Sequence, residues 1–436
     1  MKKALTSLLL ICLILNFSSC KSKAKTKEAK KEQQTQQVQQ EKPVQQEEQD
    51  VFVAEFLFNS ENIVKDNGQK EFGTITGFEL TKAMVTGWNL GNTFDATATM
   101  GMSSEMSWGQ PHTEKEMIDG LAKSGIKTIR IPVSWHNHLS DKRTYTINTE
   151  WMERVKTVVD WAIADGMYVI INSHHDNHEK PSKMLKGSGY YPNNVNLVES
   201  QRFLYNIWGQ IGTAFNEGYD EHLIFETMNE PRPMGTTHEW WYGGDSTCLE
   251  AAKCLNQLNQ TALDAIRATG GNNAKRFVMC PALQASENAA TTSPFKMPQD
   301  LEEGRLLLSI HAYTPYSFAM ESPGQKEFSQ AHKDELTNMF AKLKRKYMDV
   351  GYPVVIGEYG ATNKDNLEAR LAWFEFYLTT AKEYGVPCCL WDNGVWQTRT
   401  DDKGNPDYSE GYGYYNRTEQ KWYFPEITKT IIEASK

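Results

Sequence analysis

Several features that define common protein classes are scarce or missing in this 436-residue sequence. The apolar run Ala4–Leu15 is too short to cross a bilayer core of about 30 Å as a helix. There is no internal repeat, and no glycine-rich phosphate loop follows the first predicted strand. Basic residues are outnumbered, and the formal net charge of −9 disfavours a nucleic-acid surface. These absences argue against a membrane-spanning protein, a nucleotide-binding open sheet and a nucleic-acid partner.

Cysteine is also scarce. The sequence has seven cysteines, and no spacing among them resembles a zinc site. Cys248 and Cys254 are six residues apart and could close a small disulfide loop. Cys280, Cys388 and Cys389 lie in apolar runs, so we expect them to be buried and free. Because no motif for a bound group is present, we expect neither a metal ion nor an organic cofactor.

The N-terminus carries the pattern of an export signal. Lys2 and Lys3 precede the short apolar run, and a Ser-Ser-Cys sequence that ends at Cys20 follows it. This order resembles a bacterial lipoprotein signal, with residues 1–19 as the signal peptide and Cys20 as the lipidated first residue of the mature chain. Ordinary secretion with cleavage nearby is the alternative. Either way, we expect export to a compartment in which disulfides are permitted.

Residues 20–50 are predicted to form a lipidated cysteine and a disordered tether. Residues 21–50 are rich in Lys, Gln and Glu and have no aromatic residue, so they cannot bury enough apolar surface to offset the entropy of ordering. Their lysines could contact anionic lipid heads, although a soluble spacer is the favoured interpretation. We expect attachment to the outer membrane, facing the periplasm or the cell exterior. The lack of an acidic cluster after Cys20 favours the periplasm.

Residues 73–436 alternate between short apolar strand patterns and amphipathic helix patterns. The eight strand-like runs are Val85–Leu90, Thr128–Val133, Tyr168–Asn172, Leu223–Met228, Arg276–Cys280, Leu306–Ile310, Val354–Gly357 and Val386–Trp391. The clearest helical stretches are Glu114–Ser124, Trp151–Asp165, Leu197–Asn216, Ala251–Ala268, Glu327–Tyr347 and Asn366–Tyr384. The runs are nearly all apolar, which is typical of parallel strands buried on both faces. Eight of them predict a single-domain α/β protein, a (β/α)₈ TIM barrel, rather than an open doubly wound sheet.

Local signals add detail to this prediction. Thr113 with Glu116 reads as a capping box, and Gly166 and Gly385 sit just past predicted helix ends. The fifth unit is the weakest, because residues 284–296 give only a short helical signal. Residues 51–72 are expected to add a short strand pair at the base of the barrel.

Polar residues concentrate where the predicted strands end. They are Arg130 on the second strand, His174, His175 and Asp176 after the third, Asn229 and Glu230 after the fourth, His311 and Tyr313 on the sixth, Glu358 on the seventh, and Trp391 with Asp392 on the eighth. A TIM barrel builds its active site at this face. We therefore expect all of these side chains to converge on one cleft.

Two of these residues suit glycoside hydrolysis, which needs a pair of carboxyl groups flanking the scissile bond. Glu230 and Glu358 would face each other across the barrel mouth, and a retaining enzyme needs them about 5–5.5 Å apart. Arg130 can keep a nucleophilic carboxylate ionised and Tyr313 can orient it. Asn229 can bond the sugar 2-hydroxyl at the transition state.

Taken one at a time, these residues have plainer explanations. A glutamate at a strand end is usually a surface or salt-bridged residue, and a histidine pair usually packs or caps. A metal site of His174, His175, Asp176 and His178 is disfavoured, because adjacent residues at a strand end point to opposite sides. Their joint placement is what favours catalysis.

The sequence resembles glycoside hydrolase family 5, in particular its subfamily 4. Seven motifs carry the resemblance, namely Gly87–Asp95, Arg130–Trp135, Asn172–Asp176, Met228–Arg232, His311–Tyr316, Gly357–Gly360 and Trp391–Gly394. They occur in register with the predicted strands, and the match spans all eight strands in order, from about residue 75 to residue 425. The resemblance implies a retaining hydrolase with Glu230 as general acid/base and Glu358 as nucleophile.

The same resemblance implies roles for the surrounding residues. Those of the supporting shell would be Arg130, His174, Asn229, His311 and Tyr313. Trp391 would be the stacking platform beneath the sugar being cleaved, and Asn92 and His175 would contact sugars on the glycone side. Candidates for outer subsites, with packing as an equal alternative, are Trp108, Trp135, Trp240, Trp241 and Trp396.

The expected activity is endo-hydrolysis of β-1,4-glucans, whether cellulose-type, mixed-linkage or xyloglucan, by a monomeric enzyme. An endo-β-1,4-mannanase stays open, because it would share the barrel and the catalytic pair. A silent glycan-binding lipoprotein would have no need for both carboxylates. A metal-dependent barrel hydrolase would want a His-x-His pair on the first strand, which Val85–Leu90 lacks. Membrane contact is expected only through the lipid anchor.

Overall fold

The computed structural model of the protein describes residues 51–177 and 189–436. The predicted signal peptide, Cys20 and the tether lie outside the described residues, as does His178. None of the helices in the described ranges combines the length and the apolar character needed to cross a membrane.

Eight parallel strands close into a barrel, as predicted. They are β1 (Thr86–Asn89), β2 (Thr128–Ile131), β3 (Tyr168–Asn172), β4 (Leu223–Glu226), β5 (Val278–Pro281), β6 (Leu306–His311), β7 (Val354–Tyr359) and β8 (Cys388–Leu390). Each strand pairs with the next one along the chain, and β8 returns to β1 with Thr86 opposite Cys388. Closure removes both sheet edges, so every strand is paired on two sides.

Helices cover the outside of the barrel. They are α1 (Gly77–Met84), α2 (Lys115–Ser124), α3 (Thr149–Ala164), α4 (Leu197–Ala214), α5 (Ser246–Ala268), α6 (Glu287–Thr292), α7 (Tyr316–Ala319), α8 (Gln330–Lys346), α9 (Leu367–Glu383) and α10 (Pro425–Ser435). The six predicted helices are all present, and the fifth unit has only the short helix α6. Helix α5 begins five residues before its predicted start, because the Asp245 side chain accepts a hydrogen bond from the Cys248 amide and caps it.

The two predicted glycine helix ends are confirmed, whereas the predicted capping box at the start of α2 is wrong. Gly166 and Gly385 follow their helices with φ of 73° and 69°, the left-handed conformation that favours glycine. Helix α2, however, has Glu114 as its N-cap residue and no side-chain cap. The Thr113 amide donates instead to the buried carboxylate of Glu105, which Arg154 also binds. A tertiary contact therefore replaces the local one.

The strand pair expected in residues 51–72 is not formed. This segment has neither strand nor helix and packs along α4, where the Phe56 ring lies 4.9 Å from that of Tyr205. Its Asp66 carboxylate accepts the amides of Asn216 and Gly218, and its Phe72 ring lies 6.1 Å from that of Phe277. Its backbone binds as well, because the Asp66 and Lys70 amides donate to the Thr213 and Glu217 carbonyls at 2.9 and 2.6 Å, and these bonds to the end of α4 take the place of a strand pair.

The disulfide considered for Cys248 and Cys254 is also absent, and both thiols are free and buried. Both residues lie on α5. Six residues of helix rise by about 9 Å, which exceeds the Cα separation of about 7 Å that a disulfide can bridge. The expectation that Cys280, Cys388 and Cys389 are buried and free is confirmed.

The barrel interior changes character along its axis. Near the amino-terminal ends of the strands it is filled by an apolar cluster whose members include Phe72, Ile170, Ile224, Phe277, Met279, Leu307 and Val355. Two residues further along the same strands, the inward positions hold Asn172, Glu226 and Ser309, all fully buried. Strand side chains alternate with a period of two, so residues two apart point to the same side. The inward face of these strands is therefore apolar near their amino-terminal ends (the lower layer) and polar near their carboxyl-terminal ends (the upper layer). The polar end positions the site.

Candidate active site

Two carboxylates face each other at the carboxyl-terminal mouth of the barrel. Glu230 follows β4, Glu358 lies on β7, and an oxygen of one lies within 4.8 Å of an oxygen of the other. The Glu358 residue is 5% exposed, whereas 20% of the Glu230 side chain is accessible from the cleft. Inverting enzymes need about 6.5–9.5 Å between these groups, to leave room for a water. The observed separation fits direct attack and retention.

Glu358 is held by a cation and a phenol. Arg130 donates from Nη1 to Oε1 at 2.7 Å, and the Tyr313 hydroxyl donates to Oε2 at 2.9 Å. Both contacts were expected from the sequence. Donors on each oxygen stabilise the ionised carboxylate and fix its orientation.

Arg130 is itself fixed by a buried network. Its guanidinium donates to Glu226 at 2.8 Å, to Asn89 at 2.9 Å and to Asn229 at 2.7 Å. Burial opposes its charge, but Glu226 and Glu358 outweigh burial and raise the pKa of Arg130 above its ordinary value. One cation therefore stands between two carboxylates and cannot turn away from either.

Glu226 and Asn89 were missed as site residues in the sequence. Glu226 is fully buried and also accepts hydrogen bonds from Asn172 at 2.8 Å and from Ser309. Asn89 donates to the backbone of Gly357 at 2.9 Å. A signal was available, because a glutamate inside an otherwise apolar strand needs a buried cation as partner.

Glu230 is paired with His311. Their Oε1 and Nδ1 atoms lie 2.7 Å apart, and the same Nδ1 lies 3.6 Å from Glu358. Burial disfavours a charged His311, but Glu358 and Glu230 outweigh it and raise the pKa of the imidazole. In return, burial would raise the pKa of Glu230, and His311 together with Arg232 and Arg130 lowers it. One proton is therefore shared along the hydrogen bond.

A flat surface forms the opposite part of the cleft. The ring of Trp391 lies parallel to that of His174, with 5.9 Å between centroids and 2° between planes. Burial lowers the pKa of His174 well below its ordinary value, so this imidazole is neutral. A Cβ on Gly91 would lie 2.9 Å from the Trp391 ring, which is why glycine is required there. Trp391 stays partly exposed and can stack on a sugar.

Asn92 and His175 lie beside this platform. The Asn92 amide donates to the Asp95 carboxylate at 3.1 Å, and His175 Nε2 lies 3.8 Å from the same carboxylate. The ring centroids of His175 and Trp108 are 5.4 Å apart. Burial raises the pKa of Asp95 to about 7. These residues extend the polar wall of the cleft beyond the catalytic pair.

Trp135 does not belong to the cleft, so its assignment to substrate binding is wrong. Its side chain is fully buried, and its indole N–H donates to the Asn172 carbonyl at 2.9 Å. Asp176 also turns away from the histidine pair, because it accepts the amides of Trp135 and His136 at 2.8 Å each. The metal cluster considered around Asp176 includes His178, which lies outside the described residues, so the expectation that no metal binds there stays a prediction.

The rim of the cleft exposes large aromatic side chains. Trp240, Trp241 and Trp396 are 62%, 57% and 38% exposed. The Arg232 guanidinium lies 4.1 Å from the Trp240 ring centroid and holds that ring by a cation–π contact. An exposed ring fixed in this way offers a flat apolar face to solvent.

A family model described as cellulase, glycosyl hydrolase family 5, matches residues 90–396. Endoglucanase A of Ruminococcus albus is 39% identical over 371 residues, which cover 84% of this chain and 94% of that protein. Endoglucanase A of Clostridium longisporum is 38% identical over 393 residues, which cover 88% of this chain and 71% of that protein.

Solved structures agree with this match. A glycoside hydrolase 5 lichenase from Caldicellulosiruptor sp. F32, solved as a point mutant in complex with cellotetraose, has a TM-score of 0.76 and 36% identity, covering 85% of this chain and 98% of that one. A broad-specificity endoglucanase from Ruminococcus champanellensis with bound cellotriose has a TM-score of 0.75 and 36% identity, covering 83% and 100%. With its barrel, its paired carboxylates and these relatives, the chain belongs to glycosyl hydrolase family 5, the cellulase family.

Proposed function

We propose that Glu230 and Glu358 are the acid/base and the nucleophile of a retaining endo-β-1,4-glucanase. The observation that carries this proposal is the pair of carboxylate oxygens within 4.8 Å, with Arg130 and Tyr313 on one carboxylate and His311 on the other. The two carboxylates thus differ in their partners, which suits two different roles.

In the first step, the ionised Glu358 attacks the anomeric carbon and the glycosidic bond breaks. The leaving oxygen takes a proton from Glu230, so the acid function needs the shared proton of the Glu230–His311 hydrogen bond on the carboxylate. As Glu358 forms its ester, it loses the negative charge that helps hold a proton on His311. The chemistry itself therefore favours movement of that proton towards Glu230.

In the second step, Glu230 is ionised and takes a proton from an incoming water. The water attacks the anomeric carbon of the glycosyl ester and releases Glu358, with net retention of configuration. Asn229, fixed through its Oδ1 by Arg130, donates from Nδ2 to the sugar 2-hydroxyl. That contact stabilises the transition state more than the ground state.

The substrate is a β-1,4-glucan chain long enough to extend beyond the catalytic pair. Trp391 stacks under the sugar being cleaved, His175 and Asn92 contact the glycone side, and Trp240 serves an outer subsite. Cellulose-type and mixed-linkage glucans fit this arrangement, as does xyloglucan where the rim leaves room for branches. The assignment is tested by measuring hydrolysis of a cellulose derivative, mixed-linkage glucan, xyloglucan and mannan side by side. The chain lengths of the products are determined in the same assays.

The roles of the two glutamates can be separated by leaving group. Glu358→Gln should abolish turnover of every substrate, since no nucleophile is left. Glu230→Gln should abolish polysaccharide hydrolysis but still form the glycosyl ester with a dinitrophenyl cellobioside, whose leaving group needs no proton. Equal loss with both substrates in Glu230→Gln, or an inverted first product by NMR, would contradict the assignment.

The location of the protein is a separate proposal. We infer that residues 1–19 direct export and that Cys20 carries the lipid, on the strength of the Lys2-Lys3 start, the short apolar run and the Ser-Ser-Cys sequence. Metabolic labelling with a fatty acid should mark the wild-type chain and leave Cys20→Ala unlabelled. A labelled Cys20→Ala protein would overturn the assignment.

A further inference from the structure

Outside the cleft, three metal-binding side chains meet in the connection from β4 to α5. His238, Asp245 and Cys248 each place one donor atom within 4.8 Å of the other two. An imidazole nitrogen, a carboxylate oxygen and a thiolate sulfur are the donors that zinc takes in proteins. We propose that these residues bind one zinc-like divalent ion, with water completing its coordination.

The His238 ring is the first support for this site. Its Nε2 lies 3.0 Å from Asp245 Oδ2, whereas its Nδ1 is buried and has no hydrogen-bond partner within the described residues. The side chain is 12% exposed, so bulk water reaches little of it. An ion between these two groups would bind Nε2 and a carboxylate oxygen together, in place of their direct contact. The adjacent carboxylate would offset part of the charge of the ion.

The Cys248 sulfur is the second support. The residue is fully buried, and its Sγ accepts a hydrogen bond from the Gly243 amide at 3.3 Å. An amide that donates to sulfur stabilises a metal-bound thiolate. Asp245 is 47% exposed and opens a path for the ion from solvent. A Cys-His-Asp nucleophilic triad is the competing interpretation, but the buried sulfur leaves no room for an acyl substrate.

Ion binding at this point would fix a functional loop. The same connection carries the exposed Trp240 and Trp241, and the Trp241 ring lies edge-on to His238 at 4.3 Å. The Gln284 side chain donates to the His238 carbonyl at 3.1 Å. The ion would join this loop to the first turn of α5. Fixing this loop would hold Trp240 and Trp241 in place for outer-subsite binding. That consequence rests on the proposed function, whereas the metal site itself does not.

Cobalt is the probe of choice, because a cysteine ligand gives Co²⁺ a charge-transfer absorption that nitrogen and oxygen ligands do not. We expect the full chain to bind one equivalent of Co²⁺ with this absorption, and Zn²⁺ to displace it. The described clusters around Glu358 and Asp95 contain no cysteine, so ions bound there would not give the band. Zinc titration by calorimetry gives the stoichiometry independently.

Variants locate the site. Cys248→Ser should remove the absorption, and His238→Gln should weaken binding at least tenfold. Cys254→Ser is the matched control, since Cys254 is buried and free on the same helix, and it should bind like wild type. Trp241→Phe should keep the cobalt absorption. It should lose the fluorescence change that metal binding causes in the Trp241 ring beside His238.

Three outcomes would overturn the metal site. They are the absence of stoichiometric binding, an absorption that survives Cys248→Ser, and equal losses in Cys248→Ser and Cys254→Ser. Thermal melting of each variant without metal shows whether the variant is folded. If Cys248→Ser is not folded, cobalt binding by His238→Gln tests the site instead. Because none of these readouts uses hydrolysis, failure of the glucanase assignment would leave them unaffected.

Discussion

The two ends of the barrel interior are lined by the same strands, yet they hold opposite kinds of side chain. On β3, β4 and β6 the lower inward residues are Ile170, Ile224 and Leu307, and the upper ones are Asn172, Glu226 and Ser309. The lower layer gains stability from apolar burial. The upper layer buries a cation between two carboxylates, which is costly unless every partner is present. Stability and chemistry are therefore separated by two residues along each strand.

The largest effect is expected at the nucleophile. Glu358→Gln should lower kcat by about 10⁵-fold or more, because covalent catalysis is lost entirely. Glucan binding should change little, whereas the melting temperature should fall, because Arg130 loses one of its two carboxylate partners. Steady-state hydrolysis of a soluble β-glucan, with calorimetry on the same samples, measures both quantities.

The next effect tests the upper layer as a unit. Glu226→Gln removes one of the two carboxylates on Arg130 and leaves a buried charge partly unpaired. We expect a loss of about 3–5 kcal/mol in the free energy of unfolding and a clear fall in kcat, since Arg130 also positions Glu358. A variant with wild-type kcat would show that the network is structural only.

The matched change in the lower layer is Ile224→Ala, two residues upstream on the same strand. It should cost about 2–5 kcal/mol of stability through cavity formation, with kcat per folded molecule unchanged. Denaturant unfolding and active-site titration give the two numbers. A fall in kcat comparable to that of Glu226→Gln would erase the proposed separation of the layers.

His311→Asn sharpens the comparison through pH. His311 lowers the pKa of Glu230, so its removal should raise that pKa. Because the first step needs protonated Glu230, the alkaline limb of the kcat/KM profile should move to higher pH. A limb that moved to lower pH, or not at all, would show that His311 does not set the protonation of the acid.

The smallest effect is expected outside both layers. Trp240→Ala should raise KM for long glucans several-fold, with stability unchanged, because the ring is 62% exposed. The control is Trp135→Phe, whose ring is fully buried. That variant should lose stability and keep KM. If Trp135→Phe raised KM and Trp240→Ala lowered stability instead, the roles assigned to the two tryptophans would be wrong.

Much of this architecture could be predicted from the sequence, because it depends on periodic patterns. The eight apolar runs predicted the barrel, and the polar residues at their ends predicted the cleft and the contacts of Arg130 and Tyr313 with Glu358. The carboxylate pair was also found this way. Each of these features needs only strand order and the rule that parallel strands end at one face.

The rest depended on tertiary contacts that local patterns do not encode. Glu226 was overlooked because its partner Arg130 lies 96 residues away along the chain, although an acidic residue inside an apolar strand does signal a buried cation. Trp135 was misassigned because a motif does not tell which side of a strand end its tryptophan takes. The Thr113 capping box failed because Glu105, eight residues upstream, takes the amide of Thr113. The strand pair in residues 51–72 failed because backbone amides of the segment donate to carbonyls at the end of α4.

A covalent trap tests the central assignment most directly. A 2-deoxy-2-fluoro cellobioside with a good leaving group should form a stable ester, because fluorine at C2 slows its hydrolysis. Peptide mass spectrometry should then find one fluorocellobiosyl group per chain, on Glu358. A label on Glu230, or no label in a chain that still hydrolyses glucan, would contradict the account.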